Sequence, residues 1–272
     1  MRMRIIISPA KKMNVDTDTL APEGMPAFLE EAEQLMGWMR RLSFEEAKAL
    51  WKCNDRIAEQ NYRRFQEMDL RRNLTPAVIA YEGIQYQYMA PAVFGGAETE
   101  YIREHLRILS GFYGVLRPFD GVVPYRLEMQ AKASDAGDLY KFWGEKLYRE
   151  VTDRDRATPV CGSGEKDSMQ QKGERRKGAL ILNLASKEYS RCIERYLQPE
   201  DGFLTVTFGE LIDGKVKQKG TFAKMARGEM VRYLAEHQVE EPDGIKGFDR
   251  LGYHFSESLS TEKEYVFLKQ EG

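Results

Sequence analysis

Leu109-Ser-Gly-Phe-Tyr-Gly-Val-Leu-Arg-Pro-Phe-Asp-Gly-Val-Val-Pro-Tyr-Arg-Leu-Glu-Met129 is dense in glycine, proline, aromatic residues and both charge signs. Gly111, Gly114, Pro118, Asp120-Gly121 and Pro124 punctuate it, so residues 107–129 read as mixed strand and turn. Glycines let a backbone come close to a ligand or adopt positive φ. If Tyr125 to Met129 is extended, Arg126 and Glu128 share one face. Glu128 can then hold Arg126 while the guanidinium fork meets a phosphate or carboxylate. A turn-rich piece of scaffold with an internal ion pair accounts for the same residues equally well.

Upstream of this block, Arg4 to Ser8 reads as a short buried strand closed by Ser8-Pro9. Pro26 opens an amphipathic helix in which Phe28, Leu29, Ala32, Leu35, Met36, Met39 and Leu42 recur at helical spacing. Ser43-Phe-Glu-Glu46 is a capping box for a second helix to about Cys53, and a third runs from about Asn54 to Met68. Thr75-Pro76 leads into an expected strand from Ala77 to Tyr81, and Glu98 to Leu106 reads as helix.

Downstream, Asp138 caps an expected helix from Leu139 to about Val151. The Gly-rich, charge-mixed stretch 152–178 reads as a long exposed loop. Ala179 to Leu184 is β-rich, and Lys187 to Leu197 is helical. Phe203 to Ile212, Asp213-Gly214 and Lys215 to Lys219 form a hairpin signal. Thr221 to His237 is helical, and strands are expected at Phe248 to Glu257 and Glu264 to Lys269. Strands and helices alternate without a regular βαβ rhythm. The expectation is therefore α+β: one compact domain over 1–272, a mixed sheet with surrounding helices.

With 41 basic and 43 acidic residues the formal charge is −2, so any polyanion must be held by local geometry, since bulk attraction contributes little. No apolar run approaches the roughly 20 residues of a membrane helix, and Ile5-Ile6-Ile7 is too short for a signal peptide, so the cytoplasm is the expected location. Cys53, Cys161 and Cys192 form no CxxC pair, and His105, His237 and His254 lack an acidic residue three positions before them. Neither a metal site nor a cofactor is expected. Phosphate-loop and dinucleotide fingerprints are also lacking.

Three further segments bear polar chemistry. Ser8-Pro-Ala-Lys-Lys12 leaves a buried strand, where α/β proteins often hold ligands, although a solvated turn is the commoner use of such lysines. Asn183, Ser186 and Glu188 cluster where a strand passes into a helix; Ser186 is also a plain N-cap, with Tyr189 at the third helical position. In Phe222-Ala-Lys-Met-Ala-Arg-Gly228, Phe222, Ala226, Met230 and Tyr233 form the expected buried stripe, and Lys224 and Arg227 share another face.

Ile7-Ser-Pro-Ala-Lys11, the 109–129 run, Leu139-Tyr-Lys-Phe-Trp-Gly144, Asn183-Leu-Ala-Ser186, Glu188-Tyr189, Ala223-Lys-Met-Ala-Arg-Gly228 and Gly247-Phe-Asp-Arg-Leu-Gly-Tyr-His-Phe255 together resemble the bacterial YaaA peroxide-stress family. The resemblance implies a cytoplasmic protein that limits free iron and oxidative DNA damage. It also implies a family-specific α+β fold with a basic cleft, a helix-hairpin-helix element and affinity for double-stranded DNA. Residues 43–68 would be that hairpin, although no glycine occurs between Phe44 and Met68 to bring backbone to phosphate. On this view Lys11, Arg117, Arg126, Lys224 and Arg227 contact phosphates, with Arg63, Arg64 and the lysines of 215–219 as outer contacts, and no protein partner is implied. An enzyme acting on a nucleotide or nucleic-acid phosphoester is the alternative, with Tyr113, Asp120, Glu128 and Glu188 as acid–base groups beside the cations. Direct iron sequestration is the weakest reading, because no ligand cluster is legible.

Overall fold

Ile5, Ile6 and Ile7 are β-branched, suit an extended backbone, and are fully buried in the computed structural model, which describes residues 3–133, 137–154 and 178–270. Their strand, β1 (Met3–Ile7), is central to an eight-stranded sheet. The others are β2 (Leu106–Ser110), β3 (Gly114–Leu116), β4 (Leu180–Leu184), β5 (Gly202–Ile212), β6 (Lys215–Lys217), β7 (Tyr253–Phe255) and β8 (Glu264–Lys269). The spatial order is β7-β8-β5-β4-β1-β2-β3, and β6 folds back on β5. Strands β8, β5, β4, β1 and β2 run parallel, whereas β7, β3 and β6 pair antiparallel with their neighbours. The mixed sheet and its surrounding helices agree with the class expected from the irregular element order. All five residues of β1 and of β2 are buried, as both faces of a covered parallel sheet require.

Eleven helices surround this sheet among the described residues: α1 (Leu29–Arg41), α2 (Phe44–Trp51), α3 (Asp55–Glu67), α4 (Ala77–Ala80), α5 (Ile84–Met89), α6 (Gly96–His105), α7 (Leu139–Trp143), α8 (Lys146–Val151), α9 (Lys187–Glu194), α10 (Gly220–Glu236) and α11 (Pro242–Ile245). The capping box at Ser43 and Glu46 forms as read, and Asn54 caps α3 by accepting from the Ile57 N–H at 3.0 Å. Asp213 and Gly214, at φ 53° and 71°, close the β5–β6 hairpin.

Three expectations fail locally. Ala77 to Ala80 is a helical turn rather than a strand, since a short apolar run does not distinguish buried helix from buried strand. The helix expected from Leu139 to Val151 breaks into α7 and α8 at Gly144, which takes φ 52°. Within 248–257 only Tyr253–Phe255 is strand, preceded by a tight turn in which Leu251 has φ 58°. Residues 155–177, most of the expected exposed loop, lie outside the described residues.

Candidate functional site

Ile7 and Leu184 are register partners at the carboxyl ends of β1 and β4, and both chains turn out of the sheet there. Crevices at such strand ends are where open α/β sheets place ligands. Two serines stitch the ends together: the Ser186 N–H donates to Ser8 Oγ at 2.8 Å, and the Ser8 hydroxyl donates to Ser186 Oγ at 3.2 Å. Ser186 sits at the N-cap position of α9, yet its side chain makes no cap bond, because the hydroxyl faces Ser8 instead. Asn183 is buried and shapes the turn, with Oδ1 accepting from the Ala185 N–H at 2.9 Å and Nδ2 donating to Thr205 Oγ1 at 3.3 Å.

Above these ends lies a cavity of about 430 Å³. The loop after β1, the first turn of α9, the 125–128 segment, α5 and α10 all contribute to its wall. Gly228 lets α10 lie directly on α5: a Cβ at this position would stand 2.1 Å from the Gln85 carbonyl oxygen. Gly111 does the same for the 127–129 backbone, which passes 2.5 Å from where its Cβ would be. The sequence-named residues Lys11, Arg126, Glu128, Glu188, Lys224 and Arg227 thus meet at one place.

The charges there are mixed, five cations against three carboxylates. Lys12 pairs with Glu82 at 2.6 Å, while Glu128 accepts from both Lys11 at 2.8 Å and Arg126 at 3.2 Å. Lys224 and Arg227 meet no acid among the described residues, and burial pulls the Arg227 guanidinium below its ordinary range. Arg126 Nε, Arg227 Nε and Gln85 Nε2 are buried without an acceptor. The Glu188 carboxyl is raised above the ordinary carboxylate range, chiefly by burial, against an opposing hydrogen bond from the Gln130 N–H at 3.2 Å. Tyr140 steadies this turn, its hydroxyl donating to the Glu188 carbonyl at 2.9 Å.

Three of the named residues stand elsewhere. Arg117 faces Glu150 at 3.6 Å, away from the cleft. Asp120 is a turn residue, accepting from the Arg117 N–H at 2.8 Å. Tyr113 is fully buried, and its hydroxyl accepts from the Val123 N–H at 3.2 Å. Arg63 and Arg64 line a separate shallow groove on α3 with Arg56, Glu59 and Glu67. On the hairpin, Lys217 and Lys219 pair with Asp213 and Glu210 at 3.5 and 2.7 Å. The α2–α3 pair packs on the cleft's flank, where Trp51 Nε1 donates to the Arg126 carbonyl at 2.5 Å. Beside it a wider groove of about 980 Å³ shares Glu128 with the cleft.

Gln85 and Tyr86 escaped notice in the sequence. Their only local signal is the alternating Gln-Tyr-Gln-Tyr run of 85–88, which helical spacing alone does not point at any site. Among the described residues no group of three or more His, Cys, Asp or Glu side chains is placed to hold a metal ion, and no helix is long and apolar enough to cross a membrane.

A mixed sheet wrapped by helices, its parallel strands ending beneath a cleft of five cations and three carboxylates, defines a protein of mixed α and β class. The family model described as peroxide stress protein YaaA matches residues 3–259, and the chain belongs to that family. It is 53% identical to a UPF0246 protein of Agathobacter rectalis over 97% of this chain and 98% of the relative. Identity is 51% to a UPF0246 protein of Lachnoclostridium phytofermentans, over 99% of this chain and 97% of the relative. A UPF0246 protein of Limosilactobacillus reuteri is 48% identical, over 97% and 98%.

Proposed function

We propose that this chain serves the peroxide stress response in the cytoplasm by binding double-stranded DNA through the cleft, limiting the harm that free iron and peroxide do to DNA. The observation that carries the reading is the donor set. Lys224 and Arg227 are unpaired among the described residues, and Arg126, Arg227 and Gln85, which line the same cavity, each carry a buried N–H group without an acceptor. A buried donor without an acceptor costs about 1–3 kcal/mol, so three of them together favour a ligand rich in oxyanions. Backbone phosphate meets that need and accepts from a guanidinium fork. Since the net charge is −2, attraction is confined to the cleft.

Fluorescence anisotropy of a labelled duplex across a salt series tests this. Two unpaired cations predict a log–log slope of about −2, and Lys224→Ala lowers its magnitude by about one. Binding that ignores salt, or no binding at low salt, overturns the reading.

A second reading, an enzyme acting on a nucleotide or nucleic-acid phosphoester, is favoured by Glu188. A half-buried carboxyl, raised above the ordinary carboxylate range chiefly by burial and lining the same cavity as Ser8 and Ser186, can serve as a general acid. Glu188→Gln then retains phosphate binding and abolishes turnover in a phosphate-release assay. Turnover that survives the substitution removes Glu188 from the chemistry.

A further inference from the structure

We propose that the cavity is a pocket for one nucleotide unit, with its phosphate on Arg227 and Lys224 and its base against tyrosine rings. Assigning that unit to DNA rests on the reading above, but the pocket itself does not.

Size comes first. A space of about 430 Å³ equals a sphere about 9 Å across, whereas the major groove alone of B-DNA is about 12 Å wide. A stacked duplex therefore stays outside, and only a backbone phosphate or an extruded unit reaches the interior. The volume lies within the roughly 300–1,000 Å³ of small-ligand sites, so the interior suits one small molecule or one extruded unit of a polymer.

Chemistry then gives the lining two kinds of group. Arg126, Lys224 and Arg227 bring positive charge. Tyr86, Tyr125 and Tyr189 bring aromatic rings. The hydroxyls of Tyr86 and Tyr125 are already engaged. Tyr86 donates to the Ser8 carbonyl at 3.0 Å, Tyr125 lies between Tyr81 at 2.7 Å and Ser110 at 2.6 Å, and burial pushes the Tyr189 hydroxyl well above its ordinary range. What these residues present to the cavity is apolar ring atoms, over the small area that their burial leaves uncovered. Gln85 Nε2 adds a buried donor without a partner, and Glu188 adds a carboxyl raised by burial. Together they suit the hydrogen-bonding edge of a base.

Other occupants fit worse. Inorganic phosphate would satisfy the cations and leave the tyrosine lining without a contact. An apolar molecule would leave Arg126 Nε, Arg227 Nε and Gln85 Nε2 buried and unpaired. A planar base joined to a phosphate meets both kinds of group, and proteins that extrude bases hold them among aromatic or apolar side chains with hydrogen bonds to the base edge.

The test uses the full chain and two arms. Calorimetric titration compares deoxyadenosine monophosphate with deoxyadenosine and with inorganic phosphate. The nucleotide is expected to bind at least tenfold tighter than either part, and Arg227→Met to lose that advantage, with Arg227→Lys keeping some of it. In the second arm a duplex carries 2-aminopurine at a mispaired position, and its fluorescence is expected to rise severalfold on binding as the base leaves the stack. A rise assigns the unit to DNA. Tight mononucleotide binding with unchanged duplex fluorescence keeps the pocket and assigns it to free nucleotides, even if duplex binding itself fails. If the nucleotide binds no better than phosphate and the duplex signal stays flat, the inference is overturned whether or not DNA binds at the rim.

Discussion

Glu128 decides how much of the cleft's positive charge is available, because one carboxylate occupies both Lys11 and Arg126. That leaves Lys224 and Arg227 as the cations an incoming anion meets without competition among the described residues. The sequence placed Arg126 and Glu128 on one face by strand alternation, and their pairing is as read. It also put Asp120 and Tyr113 among possible acid–base groups, where folding uses them as buried structural parts. Asp120 illustrates the difference. Burial, its largest influence, pushes the carboxyl up from 3.8 to about 6 despite the Arg117 N–H and nearby guanidinium groups. Between those values the folded chain keeps a proton that the unfolded chain has released, so stability falls as pH rises from about 4 to about 6. A shift of that size corresponds to about 3 kcal/mol. Urea unfolding from pH 4 to pH 7 should show the wild type losing about that much relative to Asp120→Asn. Parallel curves would mean that Asp120 ionises normally and that this account is wrong.

Among the elements, α10 does the most to build the site, and Gly228 is the reason it can. The missing side chain brings α10 against the α5 backbone, so that Arg227 and Gln85 line the same cavity. Gly228→Ala gains about 1 kcal/mol of helix propensity. Its Cβ would meet a backbone oxygen at 2.1 Å and the Met89 nitrogen at 2.9 Å, neither able to swing aside. Overpacking of that kind costs up to about 3 kcal/mol, so the net effect is a loss of about 2 kcal/mol. Denaturant titration should record that loss, together with at least a tenfold weaker grip on phosphate-bearing ligands as α10 shifts outward. An unchanged midpoint would show that the two helices have slack between them. Helical periodicity revealed α10 and its Lys224/Arg227 pair, but a glycine within a helix does not disclose which backbone lies opposite it.

At the scale of the molecule, the site belongs to no contiguous segment. Strand β1 lies between β4, from the far half of the chain, and β2, from the near half, and the cleft is closed by residues from 8 to 227. Neither half can keep its share of the sheet without the other. Calorimetry should therefore find one unfolding transition with matching calorimetric and van't Hoff enthalpies. A saturating nucleotide, at about 100 times its Kd, should stabilise that single transition by about 2.7 kcal/mol. Two separable transitions, or a ligand that shifts only part of the unfolding, would contradict this interleaved architecture.

The strands, most helices, the capping box and the hairpin turn were legible because each is specified by neighbours a few residues apart: β-branched runs, 3.6-residue periodicity, Ser43 with Glu46, Asp213 with Gly214. Short apolar runs such as Ala77 to Ala80 were not, since four residues satisfy helix and strand alike. The polar segments at 8–12, 125–128, 186–189 and 224–227 could also be named from sequence, as groups in search of a common site. Only the tertiary structure determined that they converge, that Arg117 does not join them, and that Gln85 and Tyr86 do. The physical reason is that local propensity acts along the chain, whereas a cavity is made by packing across it. Which donors are left buried and unpaired depends on what the distant backbone brings against them.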